Sequence, residues 1–315
     1  GRAIVMPNLS PPIKTLAMAQ AYRDRILAAV PRGDDFEPLM TLYLTDTTPL
    51  SEIDAAASSD ILIGCKLYPA GATTNSDAGV TSLKAIMPVL RHMAACEIPL
   101  LVHGEVPEFR VDVFEREEAF IERVMVPLRE QLPELRIVLE HITTAEAVHF
   151  VNDQEENVAA TITPHHLLLT RNDLLAGGLR PHHYCVPILK SRNDRKALVE
   201  AATSGDSRYF LGTDSAPHAR HEKESHCGCA GVYSAHAALE LYAEVFEAAG
   251  ATGNLERFAS FNGADFYGLP RNTDKIALEK ESWTVPEDYA FGTDRLVPMR
   301  AGQTVNWQMS DDWGD

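Results

Sequence analysis

What most constrains this chain is an alternation. Short, almost unbroken apolar runs rich in β-branched residues are each followed by a longer amphipathic stretch. The apolar runs fall at residues 3–6, 39–44, 61–68, 99–103, 136–141, 158–163 and 208–212. Runs without a polar face suit parallel strands covered on both sides. The spacing predicts helices over 14–30, 52–58, 82–96, 115–131, 144–154, 194–203 and 235–249. Pro11 and Pro12, just after Ser10, suit the start of the first helix. Strand–helix–strand repeats of this kind build right-handed βαβ units on a parallel sheet.

The expected fold class is α/β, a TIM-type (β/α)8 barrel. Such a barrel takes eight strands, whereas seven apolar runs occur here and the order opens on a strand. One strand–loop–helix unit is therefore expected upstream of Gly1. An open doubly wound sheet is the rival, but it gathers its polar strand ends at one switch point. Here polar residues end many strands. After Leu269 the pattern breaks up around Pro270, Asn272, Pro286 and Pro298. Residues 1–269 are expected to form the barrel and 270–315 a short irregular C-terminal extension packed on it, within one domain.

Composition narrows the function. The 315 residues are 45% hydrophobic, enough for a sizeable core, and no run approaches the roughly 18 apolar residues of a membrane span. A formal net charge of −17 repels phosphate backbones, so no nucleic-acid partner is expected. Five cysteines, an odd number in a long chain, suggest reduced thiols in a cytoplasmic protein.

The strand ends carry the chemistry. Successive runs end in Met6-Pro7-Asn8, Cys65-Lys66-Leu67-Tyr68, Val102-His103-Gly104-Glu105, Glu140-His141-Ile142, Thr163-Pro164-His165-His166 and Gly212-Thr213-Asp214-Ser215-Ala216-Pro217-His218. In a parallel barrel these ends meet at one mouth. Two histidines and an aspartate from separate strands are natural zinc ligands. A lysine there binds metal only once CO2 has turned its amine into a carbamate, whose two oxygens can bridge two ions. Taken singly, each residue has a plainer use: a hydrogen-bonded histidine, a snorkelling Lys66, a turn-capping Asp214.

The segments Met6-Pro7-Asn8-Leu9, Lys66-Leu67-Tyr68-Pro69-Ala70, Leu101-Val102-His103-Gly104-Glu105, Glu140-His141-Ile142-Thr143-Thr144 and Gly212-Thr213-Asp214-Ser215-Ala216-Pro217-His218 together resemble the dihydroorotases. The likeness is to the compact single-domain bacterial type within the amidohydrolase superfamily. It extends through Cys227-Gly228-Cys229-Ala230-Gly231 and Phe266-Tyr267-Gly268-Leu269-Pro270, over essentially the whole chain.

The resemblance implies a metal-dependent hydrolase of pyrimidine synthesis that reversibly opens the cyclic amide of dihydroorotate to N-carbamoyl-aspartate. It implies two zinc ions per subunit bridged by carboxylated Lys66, with His103 and His141 on the more exposed ion and Asp214 on the other. A zinc-bridged hydroxide would attack, with Asp214 as general base and then acid. Asn8 and His218 would hold the substrate carboxylate, and backbone groups at Val186 and Ala230 the ring. The segment 70–76, with Thr73 and Thr74, resembles a loop that closes over substrate. A cytoplasmic homodimer is implied, with no nucleic acid and no membrane. The family pattern also puts His-x-His and then an arginine at the end of its first strand. These would precede Asn8 and do not occur in this sequence; His165-His166 and His182-His183 match other positions. Two other readings are a hydantoinase- or allantoinase-type cyclic amidase and a non-catalytic dihydroorotase-like binding protein. A separate structural zinc on Cys227 and Cys229, near His221 and His226, is disfavoured by the one-residue spacing.

Overall fold

The computed structural model describes residues 1–154 and 157–310, and the last five residues of the predicted extension lie outside them. The described residues form two compact units. Among them the first draws on residues 1–140, 154 and 157–158, and the second on residues 141–153 and 159–310.

In the first unit, strands β1 (Arg2–Val5), β2 (Glu37–Tyr43), β3 (Leu62–Leu67), β4 (Leu100–His103) and β5 (Ile137–Glu140) pair successively, each parallel to the next. Leu42, Cys65, Leu100, Leu101 and Val138 are essentially inaccessible, as the unbroken apolar runs require. Each of these leucine and valine side chains contributes roughly 1.5–3 kcal/mol of burial. Helices α1 (Leu16–Ala29), α2 (Leu50–Ala57) and α3 (Leu83–Ala95) follow the first three strands.

Two predicted helices differ in detail. The first starts after Thr15, whose hydroxyl accepts from the Met18 N–H at 3.3 Å, and Pro11 and Pro12 stay outside it. Capping at Thr15 satisfies an orphan donor, which decides the boundary over the proline signal. The predicted 115–131 helix is three pieces: α4 (Arg116–Phe120), a π turn (Ile121–Met125) and α5 (Val126–Gln131). Pro127 has no N–H to give to the preceding turn, and the ladder widens there.

In the second unit α6 (Ala145–Asn152) precedes β6 (Val158–Ile162), and β7 (Tyr209–Leu211) pairs parallel with β6. The short helices α7 (Pro164–Leu168) and α8 (Arg171–Leu175) come between β6 and α9 (Arg192–Thr203), and α10 (Arg220–Lys223) follows β7. Helix α11 (Ala238–Ala248) buries Leu241, Tyr242 and Phe246. The Tyr209 hydroxyl donates to Val148 O at 3.1 Å, tying β7 to α6. Helix α12 (Asn262–Tyr267) closes at Gly268, which takes the left-handed conformation.

The extension is less irregular than expected. Strands β8 (Ala277–Glu279), β9 (Trp283–Thr284), β10 (Tyr289–Phe291), β11 (Asp294–Leu296), β12 (Thr304–Val305) and β13 (Gln308–Ser310) form three antiparallel pairs, 8 with 13, 9 with 12 and 10 with 11. The chain between them reaches back: Tyr233 bridges Pro298, and the Met299 N–H donates to Tyr233 O at 2.8 Å.

Candidate active site

Parallel register places three strand ends of the first unit side by side. Lys66 pairs with Leu101, and His103 with Glu140. Lys66 is only 1% exposed, so its stem does not snorkel to water. Its Nζ contacts the Glu140 carboxylate and lies 5.1 Å from the centre of the Tyr68 ring. A buried ammonium requires such a partner. The buried His103 ring packs against Tyr68 at 6.1 Å, and its Nε2 meets Glu105 Oε2 at 3.0 Å. The carboxylate only accepts, so Nε2 carries the proton and the ring is held in one orientation.

The same unit joins the predicted loop to Asn8. The Asn8 side chain donates to Thr74 O at 3.3 Å, and the Asn75 side chain donates back to Asn8 O at 2.9 Å. Ser76 Oγ accepts from the Thr73 N–H and donates to Thr73 O, which folds 73–76 into a tight turn. Asn8, Thr73 and Thr74 are therefore neighbours.

In the second unit two predicted ligands share an unusual backbone. His141 has φ 44° and Asp214 φ 42°, the left-handed region that L-residues enter at a cost. His141 is held there by its N–H donating to Thr161 Oγ1 at 2.7 Å. Before Asp214, Gly212 lies so close to Thr161 that an added Cβ would meet Thr161 Cβ at 2.5 Å. After it, Ser215 Oγ accepts from the N–H groups of Ser234 and Ala235, and the Ala216 N–H donates to Val232 O. Asp214 thus sits on a strained turn bound on both sides.

His218 donates from Nε2 to Ala230 O at 2.9 Å. Burial, with help from nearby Lys223, holds its pKa below the usual histidine value. His165 and His166 are fully buried and, with Cys185, place three donor atoms within 4.8 Å of one another. His166 is committed elsewhere: Nδ1 meets Thr163 Oγ1 at 2.8 Å and Nε2 meets Pro187 O at 2.9 Å. Burial drives its pKa to about 3. The other three-donor group among the described residues, Asp54, His92 and Cys96, is a surface cluster. Neither group includes Cys227 or Cys229, and none of the five cysteines is in a disulfide.

Each donor expected from sequence suits zinc in its own chemistry. Lys66 is a buried amine, His103 has its ring fixed by a carboxylate, and His141 and Asp214 are held by strained backbone. Sequence reasoning gave no role to Glu140, Glu105 or Lys223. The first two stand inside the quoted motifs, and a carboxylate beside each expected ligand was the available signal. Lys223 stands in the charged run His221-Glu222-Lys223-Glu224, which reads as surface.

Residues 3–298 match the Amidohydrolase family. The dihydroorotase of Laribacter hongkongensis is 61% identical over 310 residues, which cover 98% of this chain and 90% of that protein. Among solved structures, a dihydroorotase from Saccharomyces cerevisiae in complex with 5-fluoroorotic acid superposes with a TM-score of 0.92 at 36% identity, covering 98% of this chain and 89% of that one. One from Campylobacter jejuni gives 0.89 at 40% identity, covering 98% and 88%. That likeness gives the chain the TIM-type α/β fold, and with it an enzyme's framework rather than that of a simple binding module. No helix among the described residues is long and apolar enough to cross a membrane. Sequence identity and fold agree over nearly the whole length, and the chain belongs to the dihydroorotase family of amidohydrolases.

Proposed function

We propose that this protein is a dihydroorotase that interconverts dihydroorotate and N-carbamoyl-aspartate in pyrimidine synthesis. What carries the reading on the structure is Lys66, an amine sealed from water near a strand end, beside a carboxylate and on the strand paired with the one that ends in His103. Surface lysines serve no such arrangement. The donors Lys66 (as its carbamate), His103, His141 and Asp214 would hold two zinc ions, which supply Lewis acidity and a hydroxide at neutral pH. Asp214 takes the proton of the attacking water and returns it to the leaving ring nitrogen. The C–O bond forms as the amide C–N bond breaks, and one water is consumed. Asn8 and His218 grip the substrate carboxylate. The backbone of Val186 and Ala230 reads the ring, and Thr73 and Thr74 cover it. Local cations of this kind let an acidic protein bind an anion. We further propose a cytoplasmic homodimer without nucleic-acid or membrane partners, with residues 1–269 as the hydrolase body and 270–315 as its extension.

The test is turnover by the full-length gene product loaded with zinc. N-carbamoyl-aspartate formed from dihydroorotate is compared with ring opening of hydantoin, and Lys66→Ala is run beside the wild type. Dihydroorotate should be the better substrate, and Lys66→Ala should lose both turnover and bound zinc. Preference for hydantoin would move the protein to the hydantoinase type. No turnover would leave a binding protein, and full activity in Lys66→Ala would end the metal scheme.

A further inference from the structure

Lys223 is 3% exposed and belongs to no step of the proposed reaction, yet it is the most heavily bonded ammonium in its surroundings. Its Nζ donates to Tyr184 O at 2.8 Å, Cys229 O at 2.8 Å and Gly231 O at 2.7 Å. An ammonium has three protons, and all three are used. The acceptors come from two loops far apart in sequence. Tyr184 stands two residues before Val186, and Cys229 and Gly231 flank Ala230.

Other contacts tighten the same knot. The Gly231 N–H donates to Tyr184 O at 2.9 Å, joining the loops directly. Gly231 has φ 153°, and an added Cβ would meet Ala216 O at 2.4 Å, so only glycine lets the backbone come this close. His218 fastens Ala230 O, and His166 with Cys185 fastens Pro187 O. Amid this saturation the Val186 N–H and C=O and the Ala230 N–H take no hydrogen bond among the described residues, although both residues are half-buried. Half-buried backbone groups left open inside a fully bonded frame are groups kept for a ligand.

We infer that Lys223 is a positioning residue for substrate: it fixes the spacing of the Val186 and Ala230 backbone groups that read the ring amide. This rests on the proposed dihydroorotase reading. The ammonium is held at a cost, since burial pulls its pKa down to about 8. A neutral side chain would avoid that cost but could not hold three carbonyls at once. All three Nζ protons go to backbone carbonyls, so the loss of Lys223 should act on recognition more than on chemistry.

The experiment compares wild type with Lys223→Met, which keeps the stem and deletes the donors. It measures kcat and KM for dihydroorotate, inhibition by 5-fluoroorotic acid, zinc content, and hydrogen exchange of the Gly231 amide. The expected result is a KM and an inhibition constant raised tenfold or more, kcat within threefold, unchanged zinc, and Gly231 exchange at least tenfold faster. Lys223→Gln, which retains an amide donor, should fall between. A folded Lys223→Met with KM and inhibition within twofold of wild type overturns the inference, as does a fall in kcat at constant KM. Should neither variant fold, exchange in the wild type decides: a Gly231 amide as fast as an exposed loop amide overturns it. Absence of dihydroorotate turnover by the wild type would refute the functional reading separately, and the exchange data would then judge the knot alone.

Discussion

Substituting His166 by Gln removes a titrating group that the fold keeps neutral. Pro187 O can only accept, so Nε2 carries the ring proton, and Nδ1 accepts from the Thr163 hydroxyl. Protonating Nδ1 would place a charge in a fully buried site and end the hydroxyl's donation to the ring. The pKa is accordingly about 3, lowered chiefly by burial, against about 6.5 for an unfolded histidine. As pH falls below the unfolded value, the unfolded chain takes a proton and the folded one does not. Stability that is complete above about pH 6.5 is therefore lost progressively down to about pH 3. Between pH 7 and pH 5 the loss from this one group is about 2 kcal/mol, a large part of a total of roughly 5–15 kcal/mol. His165, also pushed down by burial, acts in the same direction. The depressed carboxylates of Asp173 and Asp206 matter only below the ordinary carboxylate range, outside this window. Urea unfolding of the zinc-free protein at pH 7 and pH 5 reads the effect. Whatever His166→Gln costs at pH 7, its further loss at pH 5 should be smaller than wild type's by about 2 kcal/mol. Equal losses in the two proteins would refute the argument that a neutral His166 is built into the native state.

Gly212→Ala drives a methyl group into Thr161 and should destabilise by about 1–3 kcal/mol, read by the same urea titration. Because Asp214 is two residues on, turnover should fall as well, and a neutral outcome would mean that β7 can shift outward. His218→Asn should raise KM for dihydroorotate by about tenfold to a hundredfold, the value of a hydrogen bond to a charged group, in a steady-state assay. Cys227 is exposed whereas Cys65 is sealed, its thiol pushed up to about 12 by burial. A thiol reagent followed by peptide mapping should modify Cys227 within the time that leaves Cys65 untouched.

Much of the architecture was legible because its strands are buried on both faces. The runs at 61–68, 99–103 and 136–141 enclose β3, β4 and β5 within a residue or two, since polar residues enter them only near their ends. The π turn at Ile121–Met125 was not legible, because one proline shifts the ladder without disturbing the apolar stripe around it. Nor were β8 to β13: strands of two or three mostly exposed residues carry no alternation to read. At the site, Lys66, His103, His141 and Asp214 stood out because polar residues ending apolar strands are conspicuous. Lys223 did not, because its burial is set by Tyr184, Cys229 and Gly231, and no local pattern announces contacts made across a fold.

The bond from Met299 to Tyr233 has a consequence for synthesis on the ribosome. Tyr233 adjoins Val232, whose carbonyl holds Ala216, and Ser215 in turn holds Ser234 and Ala235, so the turn carrying Asp214 is braced through Tyr233 by Met299, far downstream of it. A nascent polypeptide that has exposed everything up to residue 290 already owns each expected zinc donor in this sequence, but not the strap that steadies one of them. The strap is therefore translated after every expected donor, and the Asp214 turn should settle into place only once Met299 has left the ribosome.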